Sequence, residues 1–224
     1  MGRLVITIDG PAGSGKSTTA RKVAERLGLF YLDTGAMYRA IALKAVRLGY
    51  DPDSEGSIGT LAERTNLEFV HLEGKQRLMM DGEDVTDLIR TPDVTAAASA
   101  MSAIPRVREV LVERQRELGR IGKVVAEGRD TGSVVFPEAD VKIYLIADSQ
   151  VRAERRHLDM ENMGLESTTV EQLEQIALRD DADSTRKISP LVKPEGAIEI
   201  DTTGLSIEEQ VEKVVELARR AAPA

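Results

Sequence analysis

Cysteine and tryptophan are both absent from the 224 residues, and aromatic residues make up only 3% of them. Without cysteine there is no disulfide framework, no thiolate zinc site and no thiol nucleophile. Four Tyr and three Phe give too little stacking surface for a protein that reads single strands base by base. Positive charge is in deficit: 30 Lys and Arg stand against 38 Asp and Glu, a net charge of −8. That balance argues against nucleic acid or a membrane surface as a partner, since both are held by net positive patches. No apolar run approaches the ~18 residues that a membrane span needs. The opening Met1-Gly2-Arg3-Leu4-Val5-Ile6-Thr7-Ile8-Asp9 is too short and too soon polar for a signal peptide. A cytoplasmic globular protein is expected, with monomer as the default. His71 and His157, the two histidines, lie in unrelated segments and suggest no metal site.

What the chain does have is 42% hydrophobic residues, enough for a sizeable core, in a recognisable rhythm. Leu4 to Ile8 reads as a buried strand ending in the turn Asp9-Gly10-Pro11. Lys16 to Leu27 has helical spacing at Ala20, Val23, Ala24 and Leu27, with Gly28 as its C-cap. A short strand at Leu29 to Leu32 and a helix from Ala36 to Leu48, stopped by Gly49, complete this part. The character changes after Asp51-Pro52 and the polar stretch Asp53 to Gly56. Residues 67 to 85 read as small antiparallel strands, with turns at Glu73-Gly74-Lys75 and at Asp81-Gly82, a hairpin signal. Helical stretches near 93–102 and 106–118 follow, the second opened by Pro105.

Strands then return at Lys123 to Ala126, Val141 to Ile146 and Ala197 to Ile200. Between and after them lie helices at 149–163, at 170–181 behind a Thr168/Glu171 capping box, and at 206–220 behind Ser206/Glu209. Strands alternating with helices imply an α/β fold, a mostly parallel sheet covered on both faces. The hairpin segment is too small to bury a core alone and reads as an insertion.

Gly10-Pro11-Ala12-Gly13-Ser14-Gly15-Lys16-Ser17 fits the Walker A pattern at each specified position, between a strand and a helix. Glycines at this spacing let successive backbone N–H groups face phosphate oxygens, and the helix that follows presents its positive dipole end. Lys16 is suited to the β- and γ-phosphates, Ser17 to Mg²⁺, and Thr18 completes the nucleotide-binding stretch. A GTPase would usually carry Asn-Lys-x-Asp, but Asn occurs only at positions 66 and 162. One P-loop followed by many arginines suggests phosphate transfer to a small acceptor. Glu127-Gly128-Arg129-Asp130 follows a parallel strand, where ligand groups of open α/β sheets project. Arg152, Arg155 and Arg156 crowd one helix, and Arg179, Asp183 and Arg186 lie at the end of the next.

Further motifs carry a more specific resemblance: Asp33-Thr34-Gly35-Ala36-Met37-Tyr38-Arg39, Pro105-Arg106-Val107-Arg108, Gly128-Arg129-Asp130-Thr131-Gly132, Val134-Val135-Phe136-Pro137, Arg179-Asp180-Asp181 and Ser189-Pro190-Leu191. Collinear from about 5 to 207, they resemble the bacterial cytidylate kinases, a branch of the nucleoside monophosphate kinases. The resemblance implies a P-loop NTPase-type three-layer fold with a central parallel sheet. It adds a small antiparallel insertion near 65–90 in a monophosphate-binding region (35–119), and a helical lid (149–186). The core would be 1–34, 120–148 and 187–224.

The resemblance also implies roles. Arg39 and Arg129 would grip the acceptor phosphate, for which a guanidinium fork is suited. Ser99, Arg108 and Asp130 would read the cytosine ring. Thr34, Asp183 and Arg186 would serve sugar and phosphate, and Arg152, Arg155 and Arg156, with Arg179 as a similar candidate that also binds substrate, would bring lid charge to the moving phosphoryl group. Thr34 is bulkier than the serine of some relatives, which leaves sugar discrimination open. The expected reaction is ATP + CMP → ADP + CDP, with Mg²⁺, and with dCMP as a second acceptor. Another acceptor such as UMP or a small alcohol, or a nucleotide-sensing module without catalysis, remains open at this point.

Overall fold

Leu4–Asp9 forms β1, and all six of its residues are buried. A β-branched run with no exposed face is what a central parallel strand requires. The computed structural model describes residues 3–51 and 54–221. After β1 come α1 (Lys16–Leu27), β2 (Phe30–Asp33), α2 (Thr34–Arg47), α3 (Glu55–Arg64) and the strands β3 (Leu67–Leu72), β4 (Lys75–Met80) and β5 (Glu83–Asp84). Helices α4 (Pro92–Met101) and α5 (Pro105–Gly119) lead to β6 (Lys123–Gly128) and a π-helical turn at Thr131–Val135. Then follow β7 (Val141–Ile146), α6 (Ser149–Asn162), α7 (Thr169–Thr185), β8 (Ile198–Asp201) and α8 (Ile207–Ala221).

The chain divides into two compact units, residues 1–32 with 118–224, and residues 33–117. In the first, a five-stranded sheet has the order β2-β6-β1-β7-β8. The β1–β6, β1–β7 and β7–β8 pairings are all parallel. Leu4, Ile6, Ile8, Val125, Ile143 and Leu145 pack with Ala20, Val23 and Ala24 of α1 and Val211, Val214, Val215 and Ala218 of α8. Each large side chain buried there stabilises the fold by about 1.5–3 kcal/mol. Gly28 takes the left-handed conformation and caps α1, as its position suggests. Both expected capping boxes form, Thr168 with Glu171 and Ser206 with Glu209.

In the second unit, β3, β4 and β5 form a separate antiparallel sheet. Glu73-Gly74 and Asp81-Gly82 have positive φ at both residues, the geometry that matches the twist of a two-residue hairpin. Ion pairs from Lys44 to Asp81 and from Arg47 to Glu83 tie the second hairpin turn and β5 to α2. The architecture is the expected α/β one, a central parallel sheet with helices and a small antiparallel sheet.

Two local expectations change. Helix α2 begins at Thr34, not Ala36, because the Asp33 carboxylate accepts from the Ala36 N–H at 2.8 Å and caps the helix there. Helix α3 was not expected: Gly56 and Gly59 and a polar lead-in mask it, but it buries Ile58, Leu61 and Ala62. The break in character at Pro52-Asp53 lies outside the described residues.

Candidate active site

The end of β1 sets the site in the first unit. Gly10, Gly13 and Gly15 all have positive φ, which a side chain resists, and a Cβ on Gly10 would lie 2.2 Å from the Leu145 carbonyl oxygen. The loop therefore packs too closely on β7 for any other residue. Gly15 precedes α1 in the left-handed conformation, so Lys16, Ser17 and Thr18 open the helix with their N–H groups at its positive end. Lys16 is buried, and its ammonium donates to the Pro11 carbonyl at 3.1 Å. The Ser14 hydroxyl is buried with no hydrogen-bond partner among the described residues. A phosphate oxygen would satisfy it, since buried hydroxyls are rarely left unpaired.

Around Lys16 the first unit gathers charge. Arg129 Nε donates to Asp183 Oδ2 at 2.7 Å, and Arg179 Nε stands 4.0 Å from the same oxygen. Arg186 reaches Asp183 Oδ1 and Asp130 Oδ1, each at 3.9 Å. Burial pushes the Asp183 carboxyl up, but Arg129, Arg179 and Arg186 together outweigh it and hold it below its ordinary value. The Lys16 ammonium is pushed down to about 7, by burial first and then by Arg129 and Arg179, with Glu127 and Asp183 opposing. Glu127 is buried at the end of β6 and accepts from the Tyr31 hydroxyl at 3.2 Å. The cations outnumber the anions that could neutralise them, which is the electrostatics of a site for a phosphate-bearing molecule.

The three arginines of α6 part company. Arg152 is buried, donating from Nε to the Ala147 carbonyl and from Nη1 to the Ala12 carbonyl, each at 3.1 Å, and it pairs with Asp180. Arg155 donates to the Gly13 carbonyl at 3.5 Å and to both Oγ1 and the carbonyl of Thr202, and burial pushes its guanidinium down. Both therefore brace the phosphate loop from outside. Arg156 does not join them; it makes a loose pair with Asp159 at 3.8 Å.

In the second unit, Arg39 Nη2 contacts both oxygens of Asp33, at 3.3 and 3.0 Å, beside Gly35. Its Nε is buried with no hydrogen-bond partner among the described residues. Thr34 is buried at the head of α2. Arg108 is buried, lies over the Tyr38 ring at 5.6 Å and donates to the Ser102 carbonyl at 3.2 Å. The Ser102 hydroxyl in turn donates to the Ser99 carbonyl at 2.7 Å, so Ser99 and Arg108 meet through Ser102.

Several residues of these constellations escaped sequence reasoning. Asp180 accepts from the Ala12 N–H at 3.4 Å, the Thr202 hydroxyl donates to the Ser14 carbonyl at 3.1 Å, Thr19 Oγ1 donates to the buried Gln210 Oε1 at 2.8 Å, and Asp9 accepts from Thr131 and Gly132. Asp33 was legible only as part of a motif; its place before a helix was the available signal.

No group of three or more His, Asp or Glu among the described residues could hold a metal ion. The exposed Ser17 hydroxyl at the head of α1 is a hard-oxygen donor beside the loop. In P-loop proteins such a hydroxyl holds Mg²⁺ together with a carboxylate, phosphate oxygens and waters. Among the described residues no helix is long and apolar enough to cross a membrane.

Known proteins resemble this chain in sequence and in fold. The family pattern described as cytidylate kinase matches residues 6–220. A cytidylate kinase of Geobacter sulfurreducens is 46% identical over 223 residues, covering 98% of this chain and 96% of the relative. Another, of Carboxydothermus hydrogenoformans, is 46% identical over 215 residues, covering 96% and 97%. Among solved structures, an uncharacterised protein from Eubacterium ventriosum aligns with a TM-score of 0.52 at 10% identity, covering 97% of this chain and 99% of that one. That last likeness is one of fold alone.

Proposed function

The chain belongs to the cytidylate kinase family, and on that premise we propose how its residues carry out the family's reaction. It is a nucleoside monophosphate kinase that transfers a phosphoryl group from ATP to CMP. The observation that carries the reading is the phosphate loop with Lys16 beside the Arg129–Asp183–Arg186 cluster.

An oxygen of the CMP phosphate attacks the γ-phosphorus of ATP; the bond to the β,γ-bridging oxygen breaks, and ADP leaves. No general base is needed, because that attacking oxygen is already an anion at neutral pH. What the protein must supply is position and neutralisation of charge. The loop amides and Ser14 receive the donor phosphates, and Lys16 spreads its charge over the β- and γ-groups. When bound through Ser17, Mg²⁺ would supply Lewis-acid neutralisation of the same oxygens.

Arg129 and Arg39 bind the acceptor phosphate in this reading. Asp130, Ser99 and Arg108 read the cytosine, and Thr34, Arg179, Asp183 and Arg186 hold sugar and phosphate. Asp183 also keeps the Arg129 fork aimed, since Nε is engaged and the two terminal nitrogens remain for an anion. Arg152 and Arg155 keep the loop in shape. Arg156, whose guanidinium is off the loop backbone, is the α6 arginine left to meet the moving group.

A coupled assay of ADP release with ATP and CMP, dCMP, UMP or no acceptor tests this. Turnover with CMP and dCMP, and only background without acceptor, is expected. Faster turnover with UMP would reassign the acceptor, and no ADP release with any of them would replace catalysis by nucleotide sensing.

A further inference from the structure

Asp9 has no part in the chemistry above, yet its carboxylate accepts three hydrogen bonds. It is fully buried at the end of β1, one residue before the phosphate loop. Its Oδ1 accepts from the Thr131 N–H at 2.8 Å and the Thr131 hydroxyl at 2.7 Å, and its Oδ2 accepts from the Gly132 N–H at 2.8 Å. Those donors lie 122 and 123 residues away in sequence. They open the π-helical turn that directly follows Arg129 and Asp130. Single π turns are frequent at functional sites.

The arrangement is specific and costly. Gly132 cannot be replaced without disturbing it, since a Cβ there would lie 2.7 Å from Thr7 Oγ1 and 3.2 Å from Asp9 Oδ2. Burial pushes the Asp9 carboxyl up to about 6, outweighing the three hydrogen bonds, and Asp130 adds to the rise. A neutral side chain at the sheet's end would avoid that burden, but only an ionised carboxylate has lone pairs for all three donors without a proton in the way. The Asp130 carbonyl completes the link, accepting from Val134 and Val135 N–H groups at 2.9 and 3.2 Å within the turn.

We propose that Asp9 is a positioning residue for the acceptor: by gripping Thr131 and Gly132 it fixes the direction in which Arg129 and Asp130 leave β6, and so sets the affinity for the nucleoside monophosphate. The proposal rests on the assignment of Arg129 and Asp130 to the acceptor. It separates Asp9 from Lys16 and the loop amides, which serve the donor.

Calorimetric titration of the full chain with CMP and, separately, with ATP tests it, alongside thermal melts. Asp9→Asn presents an amide N–H where an acceptor is needed, and Thr131→Val removes one donor while leaving the backbone bonds. Losing one charge-assisted hydrogen bond corresponds to a loss of about tenfold or more, so both variants should bind CMP about tenfold more weakly. ATP affinity should stay within about twofold in both, and Thr131→Ser, which keeps the hydroxyl, should recover most of the loss. Equal weakening of CMP and ATP, or a lowered melting temperature with both affinities unchanged, would overturn the positioning role. Wild-type protein that binds ATP but no CMP would overturn the acceptor assignment and this proposal with it.

Discussion

Lys16 is the residue whose charge state the fold leaves undecided near neutrality. Burial and two arginines push its ammonium down to about 7, so the ligand-free protein gives up that proton far more readily than an exposed lysine does. A polyphosphate beside it restores the proton, because the charged form then gains an anionic partner. The sign follows: below 7 the proton is already bound and affinity is flat, whereas above 7 each binding event must take one up. Nucleotide affinity should therefore fall by up to about tenfold per pH unit above neutrality. Calorimetry in buffers of different ionisation enthalpy, above about pH 8 where the nucleotide's own phosphates are fully ionised, should show uptake of about one proton. Lys16→Met should abolish that uptake. Heats that do not depend on the buffer would mean that Lys16 is charged before the ligand arrives.

Helix α6 shows what was and was not legible at the scale of elements. Its existence, and that of nearly every strand and helix, follows from periodicity and caps, because those signals are local. The roles of its arginines are not local. Arg152 and Arg155 find their partners in the carbonyls of Ala12 and Gly13, some 140 residues away, and a carbonyl leaves no mark in a sequence. Asp9 escaped notice for the same reason, and α3 because two glycines weaken its pattern. The division within α6 has a measurable consequence. Arg152→Ala abandons two carbonyls and leaves Asp180 without its ion pair, so it should destabilise the protein by about 2 kcal/mol. Through Ala12 it should also raise KM for ATP. Arg156→Ala should leave stability within about 0.5 kcal/mol, and any effect should fall on kcat. Denaturant melts with paired kinetic measurements check both, and a stable Arg152→Ala with unchanged KM would remove the brace.

At the scale of the whole molecule, the net charge of −8 sets long-range repulsion of anions against local attraction by Lys16, Arg129, Arg179 and Arg186. At ordinary ionic strength the Debye length is about 8 Å, so distant Asp and Glu are screened while contacts of 3–4 Å are not. The local term should win, and small polyanions should bind and stabilise a protein that carries their own sign of charge. Binding to the folded state alone at a hundred times Kd adds about 2.7 kcal/mol. At roughly 2–4 °C per kcal/mol for a chain of this size, tripolyphosphate should raise the melting temperature by about 5–10 °C. Lys16→Ala should lose most of that rise while Arg156→Ala keeps it. Double-stranded DNA at equal phosphate concentration should give none, because its charge must be met by an extended basic surface and not by a pocket. Equal stabilisation by DNA would show that the positive potential spreads beyond the loop, and would overturn the separation of a basic site from an acidic surface.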